Sequence, residues 1–345
     1  MTDRPLPYTD QIEFIPSDEP DALREMADLL RELLERDEQS SGQRRRDVHV
    51  KSHGCPVGEF QVLPDLPSDL RQGLFAEPNS YGAVVRVSNS NPTVQADSFP
   101  DARGVAIKVQ NVEGEMLNEA TTDPGSQDFV LANHPVFVSR NVKDYVRLLK
   151  ARAQGLKRPQ ATVKAFTGGR VDPRRWHWAE ALGLVRVLAR VPLHPIQLTY
   201  YSMTAFRYGA YVAKFRLKPT AATAAAAEGK RRRDQDAFRH ILGEIIRTQT
   251  LTFDFQVQLR TLGAEMPIEN PTVPWPEQFS PYQTVARLVL PPQDLEASPH
   301  HHGDALSFNP WNALTAHRPL GGINRSRKTA YLLSTSWRNG PAGAL

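Results

Sequence analysis

A single cysteine, Cys55, stands in 345 residues. That excludes an intramolecular disulfide framework and any zinc site built from several thiolates of this chain. No stretch approaches the roughly 18 consecutive apolar residues that a membrane helix needs, so no integral membrane association is expected. The opening MTDRPLPYTDQIEFIPSDEP is acidic and broken by prolines. It lacks the apolar heart of a secretory signal, and a cytoplasmic location is expected. Charge of one sign is missing too: 42 Lys and Arg face 38 Asp and Glu, a net +4. Despite a pI near 9.2 this is too balanced for a nucleic-acid binder. No internal repeat is visible. With 40% hydrophobic and 23% charged residues the chain reads as globular. Its length suits two domains, or one large β-barrel with helical additions.

Residues 18–40 place Leu23, Met26, Leu29, Leu30, Leu33 and Leu34 at helical spacing, with charge on the other face. We read residues 1–45 as an N-terminal arm and 46–345 as the main domain. From residue 47 the texture changes to short β-type runs: VHVK, EFQVL, AVVRVSN and GVAIKVQ, then IQLTYYS, YVAKFRLK, LTFDFQVQLR and TVARLVL. Their alternation and irregular spacing predict an antiparallel sheet or barrel rather than βαβ units. Helices are expected over 141–154, 179–190 and 228–249, the last with an alanine-rich lead-in at 221–227. Another is expected after Gly321–Gly322, over about 323–338. The expected class is α+β.

Several conspicuous residues have plain explanations. His300–His302 resemble a metal tract, but three consecutive histidines cannot face one ion from a regular element, and SPHHHGD reads as a polar loop. Cys55 near His53 suggests a thiol–imidazole pair, yet Gly54 and Pro56 mark a turn and no third group orients it. A buried, inert cysteine fits better. The run Lys230–Arg233 has no interleaved aromatics and reads as a solvated face.

The C-terminal helix carries more. Arg327, Tyr331, Ser334 and Arg338 fall at i, i+4, i+7 and i+11 and share one face. A tyrosine one turn from an arginine can be held as a phenolate, a hard ligand suited to ferric iron. R-x-x-x-Y alone is weak, but other blocks accompany it in order. They are Arg46-Asp47-Val48-His49 with Gly58 and Phe60, Val85-Arg86-Val87-Ser88, Asp101-Ala102-Arg103-Gly104-Val105-Ala106-Ile107-Lys108, and Asp128 to Phe137 (DFVLANHPVF). Together, across residues 46–338, these resemble the haem catalases. The likeness is nearest to the short catalase-related proteins, which are themselves similar to allene oxide synthase domains.

The resemblance implies a catalase-like antiparallel β-barrel with packed helices, binding haem b. It implies Tyr331 as iron ligand, Arg327 as the cation that holds it anionic, and Arg46, Arg86 and Arg338 as partners of the haem propionates. His49 would be the acid–base residue over the open iron face, with Ser88 fixing its tautomer. The implied chemistry is catalase or peroxidase turnover of hydrogen peroxide through a ferryl state. Rearrangement or dehydration of an organic hydroperoxide is the alternative, and a non-enzymatic haem-binding protein a third. A homo-oligomer is expected by analogy with catalases whose arms embrace a neighbour. Two departures stand out. The family's distal Asn position falls on Ala132, with Asn133 one residue later, so Asn133 reaches the site only if the strand bulges. Tyr145 stands where catalases have a Phe covering the haem, and could pack there or offer a hydroxyl. Val48 stands before His49, where allene oxide synthases of this group usually have Thr, which favours hydrogen peroxide. His53 matches no block, and Arg46 lies an odd number of residues from His49, so both reach one site only if the strand starts irregularly.

Overall fold

The computed structural model describes residues 4–117, 123, 125–154, 193–297, 303 and 305–340. Ten strands occur among them: β1 Ser52–Gly54, β2 Val57–Val62, β3 Ser80–Asn89, β4 Arg103–Gln110, β5 Ser126–Ala132, β6 Tyr200–Tyr201, β7 Phe206–Tyr208, β8 Tyr211–Pro219, β9 Leu251–Leu259 and β10 Gln283–Leu290. Eight of them close an antiparallel barrel in the order β3-β2-β10-β9-β8-β6-β5-β4, and β4 returns to β3. The short β1 and β7 flank it on β3 and β8.

Alternation decides what lies inside. Val85 and Val87 of β3, Val105 and Ile107 of β4, and Phe129 and Leu131 of β5 belong to one buried cluster with Phe60, Phe75, Phe215 and Phe255. Phe129 stands 4.6 Å from Phe255, ring centre to ring centre, and 5.2 Å from Phe215. A barrel of this size is filled by its own side chains, and these rings fill it. A ligand site must therefore lie on the outer wall.

Five helices are described: α1 Glu19–Ser41, α2 Val142–Ala153, α3 Ala221–Ala226, α4 Ala237–Ile246 and α5 Gly322–Asn339. The predicted apolar stripe of α1 is real: Met26, Leu30 and Leu34 pack with Val142, Val146 and Leu149 of α2 and with Leu333 and Trp337 of α5. Gly42, at φ 69°, turns the chain out of α1.

Some expectations are corrected. VHVK does not open a strand, because His49 takes φ 59° and breaks the extended run; β1 begins at Ser52. The helix expected over 228–249 is confined to α4. Gly229, at φ 70°, parts it from α3, and the exposed Arg231–Arg233 run lies outside both. IQLTYYS shortens to the two-residue β6. The helix expected over 179–190 and the histidines 300–302 lie outside the described residues.

Candidate active site

Toward one end, the outer faces of β3, β4 and β5 form a wall of mostly small side chains, with Arg86 at its edge. Their register aligns Ser88 with Gly104 and Gly104 with Ala132, and one step along it aligns Arg86 with Ala106 and Ala106 with Val130. All six line a cavity of about 1140 Å³, counting its open mouth. The remaining lining includes the segment 46–49, Phe137, Tyr145 of α2, Met203, Ser307, Phe308, and Arg327, Tyr331, Ser334 and Arg338 of α5. The four α5 residues that share a face by spacing thus share the cavity.

His49 is half-buried against this wall. Its Nδ1 lies 3.0 Å from Ser88 Oγ, and its backbone N–H donates to the Ser90 carbonyl at 3.2 Å. Burial, joined by the charges of Arg86, Arg327 and Arg46, pushes the imidazole down to about 3. It is therefore neutral across the physiological range. Gly104 makes room for it: a Cβ there would stand 2.4 Å from His49 Cε1 and 2.7 Å from Nδ1. The irregular backbone that Arg46 and His49 require is present, in the left-handed turn at His49 itself.

Tyr331 reaches the cavity from α5, whose ends are held tightly. At its start, Gly321 N–H donates to Glu13 Oε1 at 2.7 Å and Gly322 N–H to Glu269 Oε2 at 2.8 Å. Carboxylates at a helix N-terminus also suit its dipole. At its end, Arg44 donates to the Gly340 carbonyl at 3.1 Å and lies 4.8 Å from the centre of the Trp337 ring. Arg327 is buried; its guanidinium carbon stands 5.6 Å from the Tyr331 ring centre, and Nη1 donates to Asn324 Oδ1 at 3.2 Å.

Three further arginines ring the cavity. Arg46 donates to the Leu306 carbonyl at 2.6 Å, Arg86 to the Val50 carbonyl at 3.4 Å, and Arg338 to Ser307 Oγ at 2.8 Å. Among the described residues the lining holds four arginines and one carboxylate, Asp47, so it favours an anionic occupant. Tyr145 also lines it, with its ring 5.8 Å from that of Phe137. Burial first, then the charge of Asp47, raises its phenol well above the usual value, so the hydroxyl keeps its proton.

Asn133 does not reach this site. The β4–β5 register runs unbroken from Gln110↔Ser126 to Gly104↔Ala132, so no bulge is present. Ala132 faces the cavity, and the Asn133 side chain turns to accept the Arg103 N–H at 2.8 Å. His53 is buried elsewhere, 2.6 Å from Asn89 Oδ1, and Cys55 is buried.

Among solved structures the chain is similar to a fungal catalase, with TM-score 0.65 and 18% identity, over 99% of this chain and 66% of that one. It is similar to a bacterial catalase, with TM-score 0.60 and 18% identity, over 98% and 64%. Catalase A from Saccharomyces cerevisiae gives TM-score 0.58 and 16% identity, over 98% and 68%. The fold is catalase-like.

The chain spans just under two thirds of the length of the first two catalases. No protein-family model matches the sequence, and no curated protein matches it. Within this catalase-like frame, sequence reading brought His49, Ser88, Arg46, Arg86, Tyr145, Arg327, Tyr331 and Arg338 to one cavity. It missed Asp47, Gly104, Met203 and Phe308. Gly104 and Ala106 were findable, since they sit in the quoted Asp101–Lys108 block in register with Ser88 and Arg86. Met203 and Phe308 come from irregular segments with no pattern to read.

Proposed function

We propose that this chain is a haem b-dependent enzyme acting on hydrogen peroxide, of the short catalase-related kind. One observation carries the reading: a neutral imidazole and a phenol line the same cationic cavity, between a wall of small side chains and α5. The residues fit the cofactor. The apolar wall suits a flat macrocycle, and the arginines suit carboxylate substituents. Tyr331 would hold the iron, with Arg327 beside it, and Arg46, Arg86 and Arg338 would hold the propionates. When bound, the haem supplies the redox-active metal that peroxide chemistry needs.

The protein's own part is proton management. With Nδ1 engaged by Ser88, Nε2 of neutral His49 takes a proton from the incoming peroxide and returns it to the departing oxygen as water forms. A lowered imidazole basicity keeps that nitrogen unprotonated before each cycle. Tyr145, protonated, packs with Phe137 at the cavity edge.

A second reading is favoured by Ala132, which among the described residues leaves no amide beside His49, and by the apolar Phe137, Met203 and Phe308. Such a wall suits an organic hydroperoxide that the site rearranges or dehydrates. Gas evolution with hydrogen peroxide and product analysis with fatty-acid hydroperoxides separate the two. Inertness toward both would leave a haem-binding protein. The governing test is the absorption spectrum of the purified protein. Tyr331→Phe should abolish the ferric phenolate bands, while His49→Ala should keep the haem and slow turnover by about a hundredfold or more. A colourless protein, or a Tyr331→Phe spectrum equal to wild type, would overturn the assignment.

A further inference from the structure

We propose that Asp47 is a positioning residue that sets the gap between His49 and Tyr331; the kinetic part of this rests on the function proposed above. Among the described residues, the hydrogen bonds of His49 go to the barrel, to Ser88 and Ser90 on the β3 side. Asp47, two residues earlier, is tied to the helices. Its Oδ1 pairs with Arg152 Nη2 at 2.8 Å, and the same guanidinium nitrogen donates to the Asp47 carbonyl at 3.1 Å. Its backbone N–H donates to Ser334 Oγ at 3.3 Å.

The placement of these partners gives the contacts their meaning. Ser334 lies three residues after Tyr331 on α5, and Arg152 seven residues after Tyr145 on α2, spacings that keep each pair on one helix face. One residue therefore joins the segment that carries the imidazole to both helices that carry the cavity's phenols. A chain two residues long reaches about 7 Å, so a shift of Asp47 relative to α5 passes to His49 with little slack. His49 holds φ 59°, a sparsely populated conformation that persists only where the surroundings over-determine it. The Asp47–Arg152 pair is mostly shielded, at 12% and 21% side-chain exposure, and holds two groups in one geometry from two separate elements.

The test uses the full-length holoprotein with Asp47→Ala, Arg152→Gln, the double variant, and Arg152→Lys as conservative rescue. Two signals are read. Long-range proton–nitrogen spectra of labelled histidines report the His49 tautomer, with buried His53 and His194 as internal controls. Steady-state peroxide turnover per bound haem reports kcat and KM. We expect haem content near wild type, and a melting temperature a few degrees lower because a mostly shielded pair is broken from one side. His49 resonances should be shifted or broadened, and the control histidines unmoved. We expect kcat to fall by about a hundredfold, the cost of a misplacement near 1 Å. The double variant should be no worse than Arg152→Gln alone, because that variant already removes both contacts of the guanidinium with Asp47. Arg152→Lys should recover most of the loss. Unchanged His49 resonances in both single variants would overturn the proposal, as would single losses that multiply in the double. Should wild type carry no haem, the function reading fails by itself, and the imidazole spectrum of the same variants still decides the role of Asp47.

Discussion

Gly104 has no side chain for a steric reason that can be tested directly. A methyl there would lie 2.4 Å from His49 Cε1 and 3.3 Å from Ser88 Oγ. β4 is paired on both edges and cannot retreat, so the ring must move. Gly104→Ala should therefore fold, since alanine suits a strand at least as well as glycine, yet lose the His49–Ser88 contact. Turnover per haem should drop by about a hundredfold, checked by steady-state kinetics and by the His49 imidazole signal. Full activity would mean the ring has another seat. At this scale sequence and structure disagree most instructively at Asn133. Spacing left open whether a bulge would deliver its amide to the cavity. A bulge is a property of pairing between strands, and the regular β4–β5 ladder decides against it.

The start of α5 is a densely charged junction. Arg325 donates through Nε to Glu19 Oε1 at 2.6 Å, and through Nη2 to Glu269 Oε2 at 3.0 Å and Glu19 Oε2 at 2.9 Å. Glu13, on the segment before α1, completes the group. These carboxylates raise the guanidinium's affinity for its proton despite burial, and it ties three chain segments to the helix that bears Tyr331. Arg325→Met would leave Glu13, Glu19 and Glu269 facing one another. We expect a loss of about 3 kcal/mol, the cost of breaking a shielded ion network from one side. A shift in the urea midpoint with unchanged slope checks it. Helix α5 was legible from its Gly-Gly start and one-faced spacing; its clamp was not, because Glu13 and Glu269 are remote in sequence from residue 325.

Burial of histidines sets how the whole molecule responds to acid. Desolvation pushes His53, His194 and His317 down to about 4, and His49 to about 3. Each folded-state value lies below the usual 6.5, so below that pH the unfolded chain takes up protons that the folded chain refuses. Their contribution is complete above about pH 6.5 and is lost as pH falls toward 4. Asp128 runs the other way: burial, outweighing its Lys108 partner, raises it to about 6, which favours the folded state only at lower pH. Burial raises Asp101 in the same sense, yet four imidazoles against two carboxylates leave a net loss. The unfolding free energy should fall by roughly 5 kcal/mol between pH 7 and pH 5, measured by urea titration at both. A midpoint that is flat or rises toward acid would contradict the buried, neutral state of these imidazoles.

Alternation and spacing in the chain were enough to determine the barrel strands, the apolar stripe of α1 and the face of α5, because period-2 and period-3.6 patterns are local. Ordered blocks were enough to bring Arg86, Ser88, Arg327, Tyr331 and Arg338 to one cavity, since each lies on a strand or helix whose direction can be read. Arg46 and His49 reach it from an irregular segment that only the block resemblance pointed to. Tertiary structure alone decided that the barrel interior is solid with phenylalanine, so the cavity lies on its outer wall. It alone decided that Ala132 rather than Asn133 faces that cavity, and that Asp47 joins the His49 segment to α2 and α5. Strand register and contacts between residues hundreds of positions apart depend on how separate elements close on one another, and no local period encodes that.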